Sequence, residues 1–169
     1  LIDYTDMLQL FLDRGRAPKL DVMFVDEAQD LSPLQWAVVR KLCESADRIY
    51  IAGDDDQAIY RWAGADVDYL IRNSKDAMVL KQSYRIPKSI HTLAERCIGQ
   101  VASRVQKTWN PRKEAGHVSW EKSYESIDME SGDWLVLART NYLLNGIEEH
   151  CRSEGWFYKT KNRNSVSEK

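Results

Sequence analysis

The segment "VMFVDEAQD", Val22 to Asp30, decides how the first part of this chain folds. A run of apolar residues leads directly into Asp26 and Glu27, with Asp30 close behind. Because the apolar residues do not alternate with polar ones, the run predicts a strand over 21–25 that is buried on both faces, as in a parallel sheet. A buried strand that ends in carboxylates indicates a sheet whose carboxyl edge holds polar side chains in place.

The sequence after this strand repeats the same plan. Ser32, Pro33 and Gln35 form a capping-box signature that predicts a helix running to about Glu44. Apolar runs at 48–52 and 77–80 then predict two more strands, with helical patterns between them. This spacing suits crossover connections between parallel strands. Two further helices are expected, one over 5–14 with Thr5 as its N-cap, and one from Pro87 that includes Val101 and Val105.

Polar residues follow all three predicted strands. Asp26 and Glu27 come after the first, residues 54–57 after the second, and Gln82, Tyr84 and Arg85 after the third. In an open parallel sheet, ligands bind beyond the carboxyl ends of the strands. The three clusters are therefore expected to meet at one edge and form one site.

The residue types at this edge favour phosphoryl chemistry with ATP and Mg²⁺. Asp26, in a strand-plus-acid-pair motif of the Walker B type, can hold Mg²⁺, which prefers hard oxygen ligands. Glu27 can deprotonate the water that attacks a γ-phosphate, and Gln57 can hydrogen-bond that water or the phosphate. Arg85 offers a planar fork of donors for phosphoryl charge, and Tyr84 can stack on a nucleobase.

Each cluster also has a plainer explanation. An Asp-Glu pair after a strand is often only a helix N-terminus, and a run of three Asp residues is usually a solvated loop. Arg85 ahead of Pro87 is also compatible with local pairing. The order of the three clusters, each at the end of a successive strand, favours the functional interpretation.

Composition narrows the classes of protein and partner. The formal charge of -2 excludes a global basic surface, so contact with nucleic acid needs a local groove or stacking. The sequence contains three cysteines, Cys43, Cys97 and Cys151, which form no CxxC pair. They are interpreted as reduced thiols, which predicts an intracellular, cytoplasmic protein. No apolar run approaches the ~20 residues that span a membrane, so no membrane partner is expected.

Three segments resemble motifs II, III and IV of superfamily 1 DNA helicases of the UvrD/Rep type: "VDEAQD" (25–30), "AGDDDQAIYRWAGA" (52–65) and "LKQSYRIP" (80–87). The resemblance implies an ATP-driven motor that moves on single-stranded DNA and separates duplex at junctions. By motif match, Arg85 would be an arginine finger and Tyr84 would lie against the adenine. Tyr60 and Trp62 would stack on DNA bases. Many members have Arg where this chain has Ala63.

The resemblance also divides the chain. "WLVLARTN" (134–141) is similar to the start of the second RecA-like domain, which would place Arg139, Thr140 and Asn141 near the DNA backbone. The expected fold is a partial RecA-like α/β structure, a parallel sheet with flanking helices, followed by the beginning of a second RecA-like domain. The expected boundaries are 1–110 for the first domain, 111–116 for a linker and 117–169 for the second domain. Strands are expected there at 117–122, 134–138 and 156–159, with a helix from Asn141 to Gly155.

No G-x-x-x-x-G-K-[S/T] loop occurs in the sequence. The chain is therefore interpreted as an internal helicase fragment that is inactive without the remainder of the helicase chain. One alternative is a non-hydrolysing module that binds single-stranded DNA through Tyr60 and Trp62. A second alternative is the helicase domain of a helicase-nuclease.

Overall fold

A computed structural model describes residues 2–160 of the 169-residue chain. The chain divides into two units, 1–117 and 118–169. The first unit contains, in chain order, α1 (Tyr4–Arg14), β1 (Leu20–Val25), α2 (Pro33–Cys43), β2 (Ala46–Ile51), α3 (Val67–Asn73) and α4 (Lys88–Ile98). The second unit contains a 3₁₀ turn at Tyr124–Ser126, another at Asn141–Leu144, and α5 (Asn145–Ser153).

The two strands of the first unit pair in parallel, from Leu20 opposite Ala46 to Val25 opposite Ile51. The helix α2 connects them, as a parallel pair requires. The pairing extends past the strand ends, where Ala52 N donates to Val25 O at 2.8 Å. The first unit is thus a small α/β structure in which helices flank two parallel strands, which confirms the first two predicted strands.

Helix α2 begins as the sequence predicts. Ser32 Oγ accepts from Gln35 N at 3.3 Å, and Gln35 Oε1 accepts from Ser32 N at 2.8 Å. Helix α1 begins earlier than expected, because Asp3 and Asp6 form the capping box and leave Thr5 inside the helix. The carboxylate of Asp3 accepts from Asp6 N at 2.8 Å, so Thr5 as N-cap was wrong.

The core of the first unit lies directly against the end of β1. Its buried residues are Val25, Ala28 and Trp36, with Met23, Leu31, Val39, Tyr69 and Leu70 packed around them. The rings of Trp36 and Tyr69 lie 4.5 Å apart, so α2 and α3 meet here. The residues that follow β1 are therefore attached to the best-packed part of this unit.

The predicted third strand is wrong. Residues 77–80 make no strand pairing in the described part of the chain, and the nearest bridge is a single one between Gln82 and Asn110. A strand needs a neighbour to satisfy its backbone groups and to bury its side chains. Here Met78 and Leu80 are 86% and 83% exposed, so the segment has neither.

Two further expectations, the length of the helix after Pro87 and the strands after residue 116, are also wrong. Helix α4 ends at Ile98 with Gly99 as its C-cap, so Val101 and Val105 lie beyond it. Among the described residues, the segments predicted as strands at 117–122, 134–138 and 156–159 form no strand, although Lys159 takes part in a β-bridge. Most of their large side chains are exposed, including Trp120 and Leu135.

Every helix within residues 2–160 is too short or too polar to cross a bilayer.

Candidate functional site

The backbone bends sharply where β1 ends. Glu27 has φ 51° and ψ 40°, the left-handed region that residues other than glycine rarely adopt. Asp26 supports this bend, because one oxygen of its carboxylate accepts from Glu27 N at 2.9 Å. Glu27 is the one non-glycine residue with positive φ in the described part of the chain. Such strain persists only when the surrounding structure holds it, and it is commonest at functional sites.

A line of hydrogen bonds joins Glu27 to Gln57. Gln29 Nε2 donates to Glu27 Oε2 at 2.6 Å, and Asp54 N donates to Gln29 Oε1 at 3.0 Å. Gln57 Nε2 then donates to Asp54 Oδ2 at 2.6 Å. The ends of β1 and β2 thus bring the predicted Glu27 and Gln57 into one network. Gln29 was not singled out from the sequence, although it lies within the motif that was.

The three Asp residues after β2 are not a solvated loop. Lys107 Nζ lies 3.0 Å from Asp54 and 2.9 Å from Asp56, and it also contacts the carboxylate of Asp55. Arg104 forms a bidentate salt bridge with Asp56, in which Nε donates to Oδ1 at 2.8 Å and Nη2 donates to Oδ2 at 2.6 Å. We call Arg104 and Lys107 the basic clamp. Sequence patterns did not predict this clamp, because Arg104 lies 48 residues after Asp56 and Lys107 lies 52 residues after Asp55.

The clamp shifts the ionisation of its members. Burial raises the pKa of Asp54, but hydrogen bonds from Gln57 and Lys107 outweigh this effect and leave the pKa below its ordinary value. Burial lowers the pKa of Lys107, but hydrogen bonds to the three aspartates leave it above its ordinary value. The hydrogen bond to Asp56 raises the pKa of Arg104. The ion pairs and hydrogen bonds of the clamp therefore favour the charged forms of Asp54, Arg104 and Lys107, next to Gln57.

Removing the Lys107 ammonium by Lys107→Ala is expected to destabilise the fold. Breaking a buried ion pair costs about 3 kcal/mol, because the remaining carboxylates keep their charge without a partner. Side chains of Lys107 and Asp55 are 13% and 6% exposed, so water replaces the lost contact poorly. Urea unfolding at neutral pH measures the loss in the free energy of unfolding. The exposed Lys113→Ala is the control, and equal stabilities of the two variants would contradict the clamp.

The same pKa shifts fix the pH dependence of this effect. The pKa of Asp54 is lowered in the folded state, so its contribution to the free energy of unfolding is present above pH 3.8 and is lost as the pH falls below that value. The contribution of Lys107, whose folded pKa is raised, is present below 10.5 and is lost as the pH rises above it. The stability gap between the unsubstituted chain and Lys107→Ala should therefore narrow at both extremes and stay wide between them.

Two aromatic rings lie just beyond Gln57. The 3₁₀ turn Asp55–Gln57 is followed by another at Arg61–Ala63, so Tyr60 and Trp62 belong to the same loop. Their ring centroids are 6.5 Å apart, and Trp62 is 84% exposed. An indole this exposed is not part of the core, so the alternative that Trp62 is a buried core residue is excluded.

Arg85 and Tyr84 lie on a different segment of the first unit. Arg85 N donates to Ser83 Oγ at 3.3 Å, while its guanidinium has no ion pair or hydrogen bond with any of residues 2–160. Tyr84 is largely exposed. The segment is tied to the stretch that follows the basic clamp, because Ser83 N donates to Asn110 O at 2.9 Å. No contact joins Arg85 itself to Glu27 or Gln57 in the described residues.

The second unit carries the last three predicted residues. Thr140 caps the 3₁₀ turn Asn141–Leu144, and Thr140 O accepts from Leu143 N at 3.2 Å. Arg139, Thr140 and Asn141 are all exposed. Their surface position is compatible with contact to a phosphate backbone, and their role stays a prediction.

Asp26 has the donor chemistry for a magnesium ion. One of its oxygens is used by Glu27 N, and the other has no hydrogen bond among the described residues. Residues 2–160 contain no group of three or more His, Cys, Asp or Glu side chains that could hold a metal by itself. Magnesium bound through one or two carboxylates, water and substrate phosphates needs no such group. The site therefore fits an ion that arrives with a nucleotide.

Comparison with known proteins finds one family model that matches part of the chain. Residues 9–78, which include Glu27, Gln57 and Trp62, match the UvrD/REP helicase N-terminal domain. The chain is 29% identical to "ATP-dependent DNA helicase PcrA" of Bacillus subtilis (strain 168), over 89% of the chain and 21% of that protein. It is 26% identical to the PcrA protein of Leuconostoc citreum, over 88% of the chain and 24% of that protein.

A third relative is "DNA helicase II" of Escherichia coli (strain K12), which is 28% identical over 76% of the chain and 20% of that protein. The chain thus spans about a fifth to a quarter of the length of these relatives.

Proposed function

Since residues 9–78 match the UvrD/REP helicase N-terminal domain, we propose that the chain is part of an ATP-dependent DNA helicase of this family. Its residues would help to couple ATP hydrolysis to movement along single-stranded DNA and to duplex unwinding. The observation that supports this most is the hydrogen-bonded line from Glu27 through Gln29 and Asp54 to Gln57. This line connects the candidate base to the candidate phosphate sensor.

The proposal assigns the chain to two domains. Residues 1–110 would form the latter part of a first RecA-like domain, 111–116 a linker, and 117–169 the beginning of a second. The parallel pair of β1 and β2 with its flanking helices supports the first assignment. The protein would work inside the cell, where its DNA is.

The catalytic step divides among four side chains. Glu27 would accept the proton of the attacking water, and Asp26 would hold Mg²⁺. Bound ATP would supply the γ-phosphoryl group, and Mg²⁺ held by Asp26 would offset its negative charge. Gln57 already donates one N–H to Asp54, so its second N–H and its carbonyl oxygen would serve the water or the phosphate. Arg85 would stabilise the charge that develops on the phosphoryl group, since its guanidinium has no protein partner in the described part of the chain.

Binding of DNA and of the base of ATP would depend on aromatic faces. Tyr60 and Trp62 would stack on successive bases of single-stranded DNA, and Tyr84 on the adenine. Stacking tolerates every base and needs no overall positive charge, which suits a chain with a formal charge of -2. Arg139, Thr140 and Asn141 would contact the DNA backbone.

Trp62→Ala is expected to weaken binding of single-stranded DNA by roughly 10- to 100-fold, because base–aromatic stacking contributes about 1–3 kcal/mol per base. Fluorescence anisotropy of a labelled oligonucleotide at fixed salt measures the change. Trp120→Ala, which removes an equally exposed indole from the second unit, is the control. The assignment fails if Trp62→Ala binds as tightly as the control does.

The second candidate function is a module that binds single-stranded DNA without hydrolysing ATP. The exposed rings of Tyr60 and Trp62 favour it, together with the missing phosphate-binding loop in the sequence. For the helicase-nuclease alternative, residues 2–160 offer no cluster of metal-ligating side chains as support.

ATP hydrolysis by the full-length protein, with and without single-stranded DNA, separates the two candidates. Hydrolysis that DNA stimulates supports the helicase. Tight DNA binding with no hydrolysis in either condition would replace it with the binding module.

A further inference from the structure

The side chain of Gln29 is the most deeply buried polar group of the site. It is 2% exposed and belongs to the 3₁₀ turn Ala28–Asp30 that follows β1. Burying an amide is costly unless both its oxygen and its nitrogen are hydrogen-bonded. Both are used here, since Nε2 donates to Glu27 and Oε1 accepts from Asp54 N.

These partners permit one orientation of the amide. The Asp54 N–H can only donate, and the Glu27 carboxylate accepts, so the oxygen must face Asp54 and the nitrogen must face Glu27. The surroundings hold this arrangement. Ala28 N donates to Ala52 O at 3.0 Å, which fixes the turn against the end of β2. A Cβ at Gly53 would lie 2.9 Å from Gln29 Oε1, so glycine leaves the room that the amide needs.

Glu27 has little else to fix its carboxylate. The residue is exposed, and the bond from Gln29 at 2.6 Å is the one hydrogen bond that its side chain makes in the described part of the chain. A flexible glutamate rarely presents its oxygen at the place where a water must be deprotonated. Gln29 instead holds that oxygen from the buried side of the site.

We propose that Gln29 is a positioning residue that fixes the Glu27 carboxylate for water activation and sets the turn carrying Gln57 in register with it. The proposal rests on the proposed function, because it needs Glu27 to act on water. It goes further in giving a separate role to a buried residue that is expected to contact neither nucleotide nor DNA.

Gln29→Met tests the proposal, since methionine has a similar length and can neither donate nor accept these hydrogen bonds. The expected loss in kcat for ATP hydrolysis by the full-length protein is about 10- to 100-fold, the usual effect of removing an orienting partner. The KM for ATP should change by less than about twofold, because Gln29 orients the reaction and does not hold the substrate. Gln9→Met, at an exposed glutamine of α1, is the control.

Gln29→Glu supplies a second readout, the pH dependence of turnover per folded molecule. The introduced carboxyl still accepts from Asp54 N, but when ionised it repels Glu27 and cannot donate. Two carboxyl groups that share a buried site bind a proton between them, and the protonated form regains the missing donor. The turnover of Gln29→Glu relative to the unsubstituted protein should therefore rise as the pH falls from about 8 to about 6. The same ratio for Gln29→Met should stay constant.

A buried carboxyl also destabilises folding less once it is protonated, so each turnover is divided by the folded fraction that circular dichroism gives at the same pH. Two results would overturn the proposal: a kcat for Gln29→Met within about twofold of the unsubstituted protein, or a Gln29→Glu ratio that does not change with pH. Glu27→Gln, assayed in parallel, keeps the two levels of inference apart. If that variant hydrolyses ATP normally, the proposed function fails. If it does not, while Gln29→Met is fully active, only the role of Gln29 fails.

Discussion

Arg85→Ala lowers DNA-stimulated ATP turnover of the full-length protein by about 10³–10⁵-fold, if Arg85 is the arginine finger of the site. The guanidinium meets the requirement for this role, because it has no ion pair among residues 2–160 and is free to meet a phosphate. Its donors would oppose charge that is larger in the transition state than in bound ATP, so the loss should fall on kcat. Steady-state phosphate release measures it.

Two further variants make this result specific. Arg85→Lys keeps the positive charge without the planar fork, so it should restore only part of the activity. Arg72→Ala removes another exposed arginine, from the last turn of α3, and should leave turnover unchanged. A loss below about tenfold for Arg85→Ala would reduce Arg85 to a structural role.

Glu27→Gln is expected to lower the same turnover by about 10²–10⁴-fold, the usual contribution of a general base. The substitution is nearly isosteric, and the introduced amide oxygen can still accept from Gln29 Nε2. The bend at the end of β1 should therefore survive, and only the ability to take a proton from water is lost. Affinity for ATP, measured with a fluorescent analogue, should stay close to that of the unsubstituted protein.

The control for this variant is Glu44→Gln, at the exposed C-cap of α2. It removes a carboxylate from the same unit without touching the hydrogen-bonded line, so turnover should not change. Near-normal hydrolysis by Glu27→Gln would refute Glu27 as the base and leave the strained backbone at this residue without a catalytic explanation.

The sequence predicted those parts of the fold that depend on local signals. The apolar run before Asp26 became β1, and the cap at Ser32 became the start of α2. The run at 77–80 has a similar composition but no strand beside it among residues 2–160, and the sequence of a strand does not record whether a neighbour is present. Strand propensity thus identified β1 and β2, which pair with each other, and wrongly predicted a strand at 77–80, which has no partner in the described part of the chain.

The candidate site shows the same division. Glu27 and Gln57 belong to one hydrogen-bonded line, joined through Gln29 and Asp54, because adjacent parallel strands end at the same edge of the sheet. The basic clamp was missed, since Arg104 and Lys107 stand in an irregular segment far along the chain from the aspartates that they hold. Motif reading identifies side chains that could contact a ligand, and it passes over buried ones such as Gln29 that hold them.

We propose that Glu27, Gln57 and Arg85 act on one nucleotide. The decisive measurement is a crystal structure of the full-length protein with Mg²⁺ and a transition-state mimic of ATP hydrolysis. Glu27 is expected to contact the water in line with the γ-phosphate mimic, while Gln57 and Arg85 donate hydrogen bonds to that water or to the mimic. A bound nucleotide from which any of these three side chains faces away would refute the shared site.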